Sequence, residues 1–232
     1  MAKRTGPRIT PIYLSEMQIG KAASGTLTGF PLLVSRKVIV PEGTVYVTWD
    51  VASKVWEFRN SSAEIIGTNP PSLMQCIYGE IGDQLCLMED FRFFRSSKGN
   101  YCITYMTEPQ ETRYVLSKGK SDALGAAGGV GKPSLKYEAK EGGNIPIRDA
   151  KLMDPVLSRF RYRIDYIFLT QLVHYVTTFA GFTDAEEKAA FVKDWEEQHR
   201  SDKLRHNPWV WAIKVSSIPF TEDVTSPILR EI

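Results

Sequence analysis

The chain has 232 residues, 43% of them hydrophobic and 24% charged, with 29 Lys and Arg against 27 Asp and Glu. A chain of this length buries a core without disulfides or metals. A net charge of +2 excludes a protein whose whole surface attracts polyanions, so any basic surface is local.

Three cysteines, Cys76, Cys86 and Cys102, are an odd number with no CxxC spacing. That pattern argues against a zinc site or a disulfide framework and predicts a reducing, cytoplasmic setting, with the thiols packed as small hydrophobes. Arg4, Pro7, Arg8, Pro11 and Glu16 interrupt any apolar run at the start, so no signal peptide is expected there. No apolar stretch approaches the ~20 residues of a membrane span, and no membrane partner is expected.

Residues 1–22 read as a basic arm, with Lys3, Arg4 and Arg8 among Gly6, Pro7 and Pro11. Residues 23–232 read as a single α+β domain. Its first part is β: short β-branched runs at 26–34 and 36–40, broken by Pro31 and Pro41. Residues 44–51 alternate, with Val45, Val47, Trp49 and Val51 opposite Tyr46, Thr48 and Asp50. Residues 54–59 put Trp56 and Phe58 together, which predicts a hairpin. Turn signals fill 60–72, and a second hairpin is expected from 84–95 and 100–106, around Ser96, Ser97, Lys98 and Gly99.

From 107 to 144 the chain changes character, with seven positions held by Gly119, Gly125, Gly128, Gly129, Gly131, Gly142 and Gly143 and recurrent lysines. This predicts a flexible basic loop over about 117–146. Residues 155–179 alternate as a strand to about Phe168, while 170–178 fit either strand or helix. A helix is predicted over 183–205, with Thr183 and Glu186 as a capping box and Ala189, Val192, Trp195 and His199 as its apolar stripe. A last strand, 209–215, precedes an irregular tail. The element order suggests a mainly antiparallel sheet, curled like an OB barrel, with the late helix packed on it.

The pattern richest in chemistry is 158–169. As a strand it aligns Arg159, Arg161 and Arg163 on one face, with Phe160, Tyr162 and Ile164 on the other. Three adjacent guanidiniums repel unless an anion lies across them, and their spacing suits a phosphate backbone. A second basic and aromatic run, Phe91, Arg92, Phe93, Phe94 and Arg95, adjoins Lys98 and offers rings for base stacking, though it lacks the glycines of an RNP1 motif. Lys118, Lys120, Lys132 and Lys136 would close over a bound strand. Trp49, Trp56, Trp209 and Trp211 read instead as core.

Other chemistry finds less support. The glycine-rich run 125–134 is no phosphate-binding P-loop, because Ala126 replaces the first glycine and Pro133 the hydroxyl residue. His174, His199 and His206 have no metal-ligand spacing. The chain therefore reads as a non-enzymatic, single-strand-preferring nucleic-acid-binding protein with no cofactor or resident metal. An alternative is a structural or assembly protein forming homo-oligomers through its arm, loop and tail. A further alternative is a metal-dependent phosphodiesterase using Glu80, Asp83, Glu89 and Asp90.

Overall fold

The structure is a computed structural model and describes residues 6–34, 39–70, 74–95, 97, 101–107, 114–115, 139–140, 145, 147, 149–153 and 157–218. The class is α+β with sheet dominant, and the described strands do not close into a barrel. Two compact units are formed. The first takes its residues from Met1–Thr10, Lys21–Leu85 and Tyr162–Ser217, and the second from Pro11–Gly20, Cys86–Arg161 and Ile218–Ile232.

The strands are β1 (Ile9–Tyr13), β2 (Gly29–Leu33), β3 (Tyr46–Asp50), β4 (Val55–Arg59), β5 (Ile65–Asn69), β6 (Gln84–Met88), β7 (Phe91–Arg95), β8 (Tyr101–Tyr105), β9 (Tyr114–Val115), β10 (Ala139–Lys140), β11 (Phe160–Gln171) and β12 (Trp209–Ser217). An eight-stranded sheet runs β1-β6-β11-β3-β4-β5, with β12 beside β11 and β2 beside β12.

In the first unit the register builds one apolar row across five strands. Leu32 pairs with Trp211, Trp211 with Leu169, Leu169 with Val47, and Val47 with Phe58. Period two then sends the flanking residues to the opposite face. Val47, Phe58, Leu169 and Trp211 are all buried, and each Å² of apolar surface so removed from water contributes ~25 cal/mol to the unit's stability. Gly29 permits the close approach of β2 to β12, since an added Cβ would lie 2.7 Å from the Ile213 carbonyl oxygen. The expected 44–59 hairpin is present as β3 and β4, with Trp49 facing Trp56.

The late helix occupies Ala185–Gln198 and stops short of the predicted 205. Asp184, rather than Thr183, caps it by accepting the Glu187 N–H at 2.7 Å. Glu187 reaches back to accept the Thr183 N–H at 2.8 Å and pairs with Lys21, which holds its carboxyl down at about 2. Phe191 and Trp195 are its buried residues; Ala189, expected on the inner stripe, is exposed. Residues 172–179, left open by the sequence, coil: Leu172–His174 is helical and Tyr175–Phe179 continues as a π-turn.

The second unit centres on Cys86, Met88, Phe91, Phe93, Ile103, Tyr105, Met153 and Leu157. Strands β7 and β8 are antiparallel, β9 joins β8 antiparallel, and β10 lies parallel to β7. The expected continuous strand 84–95 is interrupted at Glu89 and Asp90, whose carboxylates hold the Arg159 guanidinium and the Ala150 N–H. The supposed arm also contains order. Strand β1 alternates exposed and buried residues, and helix Glu16–Ala23 starts with a capping box in which Ser15 and Gln18 exchange bonds at 3.2 and 3.3 Å. The predicted irregular stretch 60–72 contains β5, and the predicted strand 36–40 lies partly outside the described residues, with none at 39–40.

Arg159 and Glu89 form a bidentate ion pair in this unit. The guanidinium Nε and Nη2 donate to the two carboxylate oxygens at 2.8 and 2.9 Å. The Glu89 side chain is 0% exposed and that of Arg159 is 14% exposed. The rings of Tyr105 and Phe160 each lie 4.6 Å from the guanidinium carbon. Removing one partner of a buried pair leaves a desolvated charge. Glu89→Ala is therefore expected to destabilise the fold by roughly 3–5 kcal/mol, measured as a shift of the urea unfolding midpoint.

Candidate functional site: a cleft where the sheet forks

The arginine row alternates as expected: Tyr162 and Ile164 are buried, and Arg163 is exposed. Its three members nevertheless meet different fates. Arg159 lies before β11 and is tied to Glu89, so it cannot track a backbone. Arg161 is half-buried on β11 and makes no side-chain bond to a described residue. Arg163 pairs with Asp165 two residues along at 3.0 Å and reaches the Ser216 hydroxyl at 3.3 Å. An exposed pair of this kind contributes little and leaves the cation available to a stronger anion.

The second run also divides. Phe91, Phe93 and Phe94 are 3%, 1% and 3% exposed, so they pack the core and offer no stacking surface. The alternation that suggested display instead describes a strand covered on both faces, since Phe93 pairs with Ile103 and Phe94 with Cys102. Arg92 is half-buried, and Arg95 is exposed with its guanidinium carbon 5.7 Å from the Tyr101 ring centroid. Lys98, Lys118, Lys120, Lys132 and Lys136 lie outside the described residues.

A different constellation emerges in the first unit, from how β11 is shared. One edge of β11 pairs along its length with β12. The other edge serves two neighbours. At Ile164 it exchanges backbone bonds with the Gly82–Asp83 turn, both at 2.8 Å, and at Phe168–Thr170 it pairs with β3. The register of β11 shifts between Ile164 and Tyr166. The two branches diverge there, and a cleft of about 600 Å³ opens over Ile167.

The cleft has an aromatic wall, a backbone floor and a charged mouth. Trp49 and Trp56 form the wall, with ring centroids 5.2 Å apart and planes inclined at 60°. Trp56 is buried and its indole N–H donates to the Met74 carbonyl at 2.8 Å, which fixes the plane. Trp49 is half-buried. Gly79 forms part of the floor at φ 143°, and an added Cβ would lie 3.1 Å from both Asp83 and Ile164. Arg8, Gln75, Glu80 and Ile81 stand exposed at the mouth.

Asp83 organises the mouth. Its Oδ1 accepts the Arg8 N–H at 2.7 Å and its Oδ2 the Glu80 N–H at 3.1 Å. Arg8 is held a second time, through its carbonyl, by the Gln84 N–H at 2.8 Å. Arg8 and Glu80 thus have fixed backbones and side chains that bond to no described residue. A cation and a carboxylate in one cleft with an indole suit a planar, polar ligand with an anionic attachment.

Sequence reasoning placed Trp49 and Trp56 in the core and did not join them to Arg8 or Glu80. Their shared strand face was legible; the fork that uncovers one of them was not. Among the described residues no group of three or more His, Cys, Asp or Glu converges as a metal site, and the acids Asp83, Glu89 and Asp90 are each engaged separately. His174 stacks on Tyr46 with centroids 5.4 Å apart, away from the cleft residues, and burial lowers its pKa. No helix among the described residues is long and apolar enough to cross a membrane. Comparison with known protein families, curated proteins and solved structures found no match.

Cys76 also lines the cleft, and burial pushes its thiol up to about 11. It is therefore protonated at neutral pH and poorly nucleophilic, while Cys86 and Cys102 are fully buried. Because burial penalises the thiolate, the folded state loses stability as pH rises from the ordinary thiol value of 9.0 through about 11, and is unaffected below that window. Iodoacetamide at pH 8 is expected to label Cys76 roughly 100-fold more slowly than an ordinary thiol, followed by peptide mass spectrometry across pH 8–11.

Proposed function

We propose that this protein is a non-enzymatic nucleic-acid-binding protein that prefers single strands and receives an unstacked base in the fork cleft. The observation that carries this reading is the half-buried Trp49 indole, packed on a fixed Trp56, in a cleft whose lining also includes the exposed Arg8. Base-on-aromatic stacking tolerates any sequence, and an arginine nearby supplies the phosphate contact. A base within a duplex is already stacked and paired and would first have to be extruded, so a single strand is favoured. The sequence immediately before Arg8 carries Lys3 and Arg4, and Arg163 adds a further exposed cation on β11. The lysines of 117–146 add positive charge by sequence. A curled OB-like arrangement, in which a sheet face presents stacking residues to a strand, is the fold analogy closest to this reading.

The reading predicts binding of a fluorescein-labelled single-stranded 12-mer, monitored by anisotropy and Trp quenching, with affinity falling steeply as salt rises. Trp49→Ala is expected to weaken it roughly 5- to 150-fold, the range of one lost stacking contact. Arg8→Ala is expected to weaken all sequences alike and reduce the salt slope. Equal affinity of Trp49→Ala and the parent, or stronger binding to duplex, would remove the proposal.

One observation favours the homo-oligomer reading alongside it. Among the described residues strand β5 pairs only with β4, and Ile65 and Ile66 are 51% and 38% exposed. The strand, Ile-Ile-Gly-Thr-Asn, carries no charge to discourage edge pairing. Two-fold antiparallel pairing about Gly67 would set Ile66 of each copy against Thr68 of the other. Light scattering after gel filtration is expected to give a dimer that Ile66→Lys converts to monomer, and a parent that stays monomeric at 100 µM sinks this reading.

A further inference from the structure

We infer that the fork cleft selects guanine, through a bidentate interaction between the Glu80 carboxylate and the N1–H and N2–H donors of the base. This rests on the single-strand reading above and assigns its base preference. Two carboxylates line the cleft, and only one is free to read a ligand. Both oxygens of Asp83 already accept backbone N–H groups, from Arg8 and from Glu80. The Glu80 carboxylate accepts no bond from a described residue and stands exposed at the mouth.

The root of Glu80 is nonetheless fixed. Its N–H is bound by Asp83 Oδ2 at 3.1 Å, and its carbonyl accepts the Asp83 N–H at 3.0 Å. A pinned backbone with an unengaged carboxylate is a preorganised acceptor, which lowers the cost of ordering it on a ligand. Trp49, Trp56 and the exposed Ile81 line the same cleft as this acid.

The chemistry of the four bases then decides. A carboxylate offers two oxygens and no donor. The pairing edge of guanine presents two adjacent N–H donors, matching both oxygens at once. Cytosine and adenine each present one exocyclic amine beside a ring acceptor. Uracil and thymine present one N–H flanked by two carbonyls, which a carboxylate repels. Single-stranded bases are commonly read on this edge, and a good bidentate pair is worth about 1–3 kcal/mol of discrimination. Arg8 lines the same cleft, its backbone held on the same Asp83 carboxylate as that of Glu80, and its cation can take the phosphate.

The test is a fluorescence titration of the full chain with four oligothymidine 12-mers, each carrying at its centre a single guanine, adenine, cytosine or thymine. The expected result is roughly 5- to 150-fold tighter binding of the guanine oligomer. Glu80→Gln, which replaces one acceptor by a donor, is expected to abolish that preference, so that the guanine oligomer no longer binds tighter than the other three. Guanosine 5′-monophosphate should compete better than the other three nucleotides. Equal binding of all four oligomers overturns guanine selection and leaves the single-strand reading standing. A guanine preference that survives Glu80→Gln overturns the role of Glu80. Failure of every oligomer to bind overturns the single-strand reading itself.

Discussion

The backbone hydrogen bonding of β11 is the constraint from which the rest of the first unit follows. A strand has two edges, and each is normally satisfied by one neighbour. Strand β11 spans 12 residues, longer than any strand beside it, so its free edge cannot be filled by a single partner of five residues. Two branches share it, held at Ile164 and at Phe168–Thr170. The cleft over Ile167 is the geometric remainder of that sharing. It needs no special loop, only a mismatch of strand lengths and the register shift between Ile164 and Tyr166.

The same geometry explains why charged groups gather there. Where two branches part, the chain must turn, and a turn leaves backbone N–H groups in need of acceptors. Asp83 meets that need twice, and in doing so it fixes Arg8 and Glu80 at the mouth. Structural satisfaction of the turn and presentation of a cation and an acid are one event. The second unit uses its polar groups differently: the Arg159–Glu89 pair is enclosed by rings and engaged within the unit, which suits anchoring rather than recognition.

Much of the sheet was legible because period-two alternation is a local signal. It gave the hairpin of β3 and β4, the alternation at 160–164, and the final strand. It failed where alternation is ambiguous about what covers each face. Phe91, Phe93 and Phe94 look displayed beside Arg92 and Arg95, yet β7 is covered on both sides. Arg159 looks like the first of a row, yet its partner lies 70 positions away, a separation no spacing rule can reach. The early helix is hidden in the sequence because Pro7 and Pro11 discourage regular structure just before it, while its start signal is the Ser15–Gln18 box. The cleft joins Arg8, Trp49, Glu80 and Ile167, drawn from four separate elements, and only the tertiary fork brings them together.

The floor of the cleft has one further implication. At Gly79 the depth is fixed by main chain: φ of 143° disfavours any side chain, and a methyl group would press on Asp83 and Ile164. Substitution therefore cannot deepen or reshape the base of the recess without displacing the acid that organises its entrance. Change in what the cleft accepts is left to the exposed side chains at positions 75, 80 and 81, which can vary without disturbing the main chain beneath them.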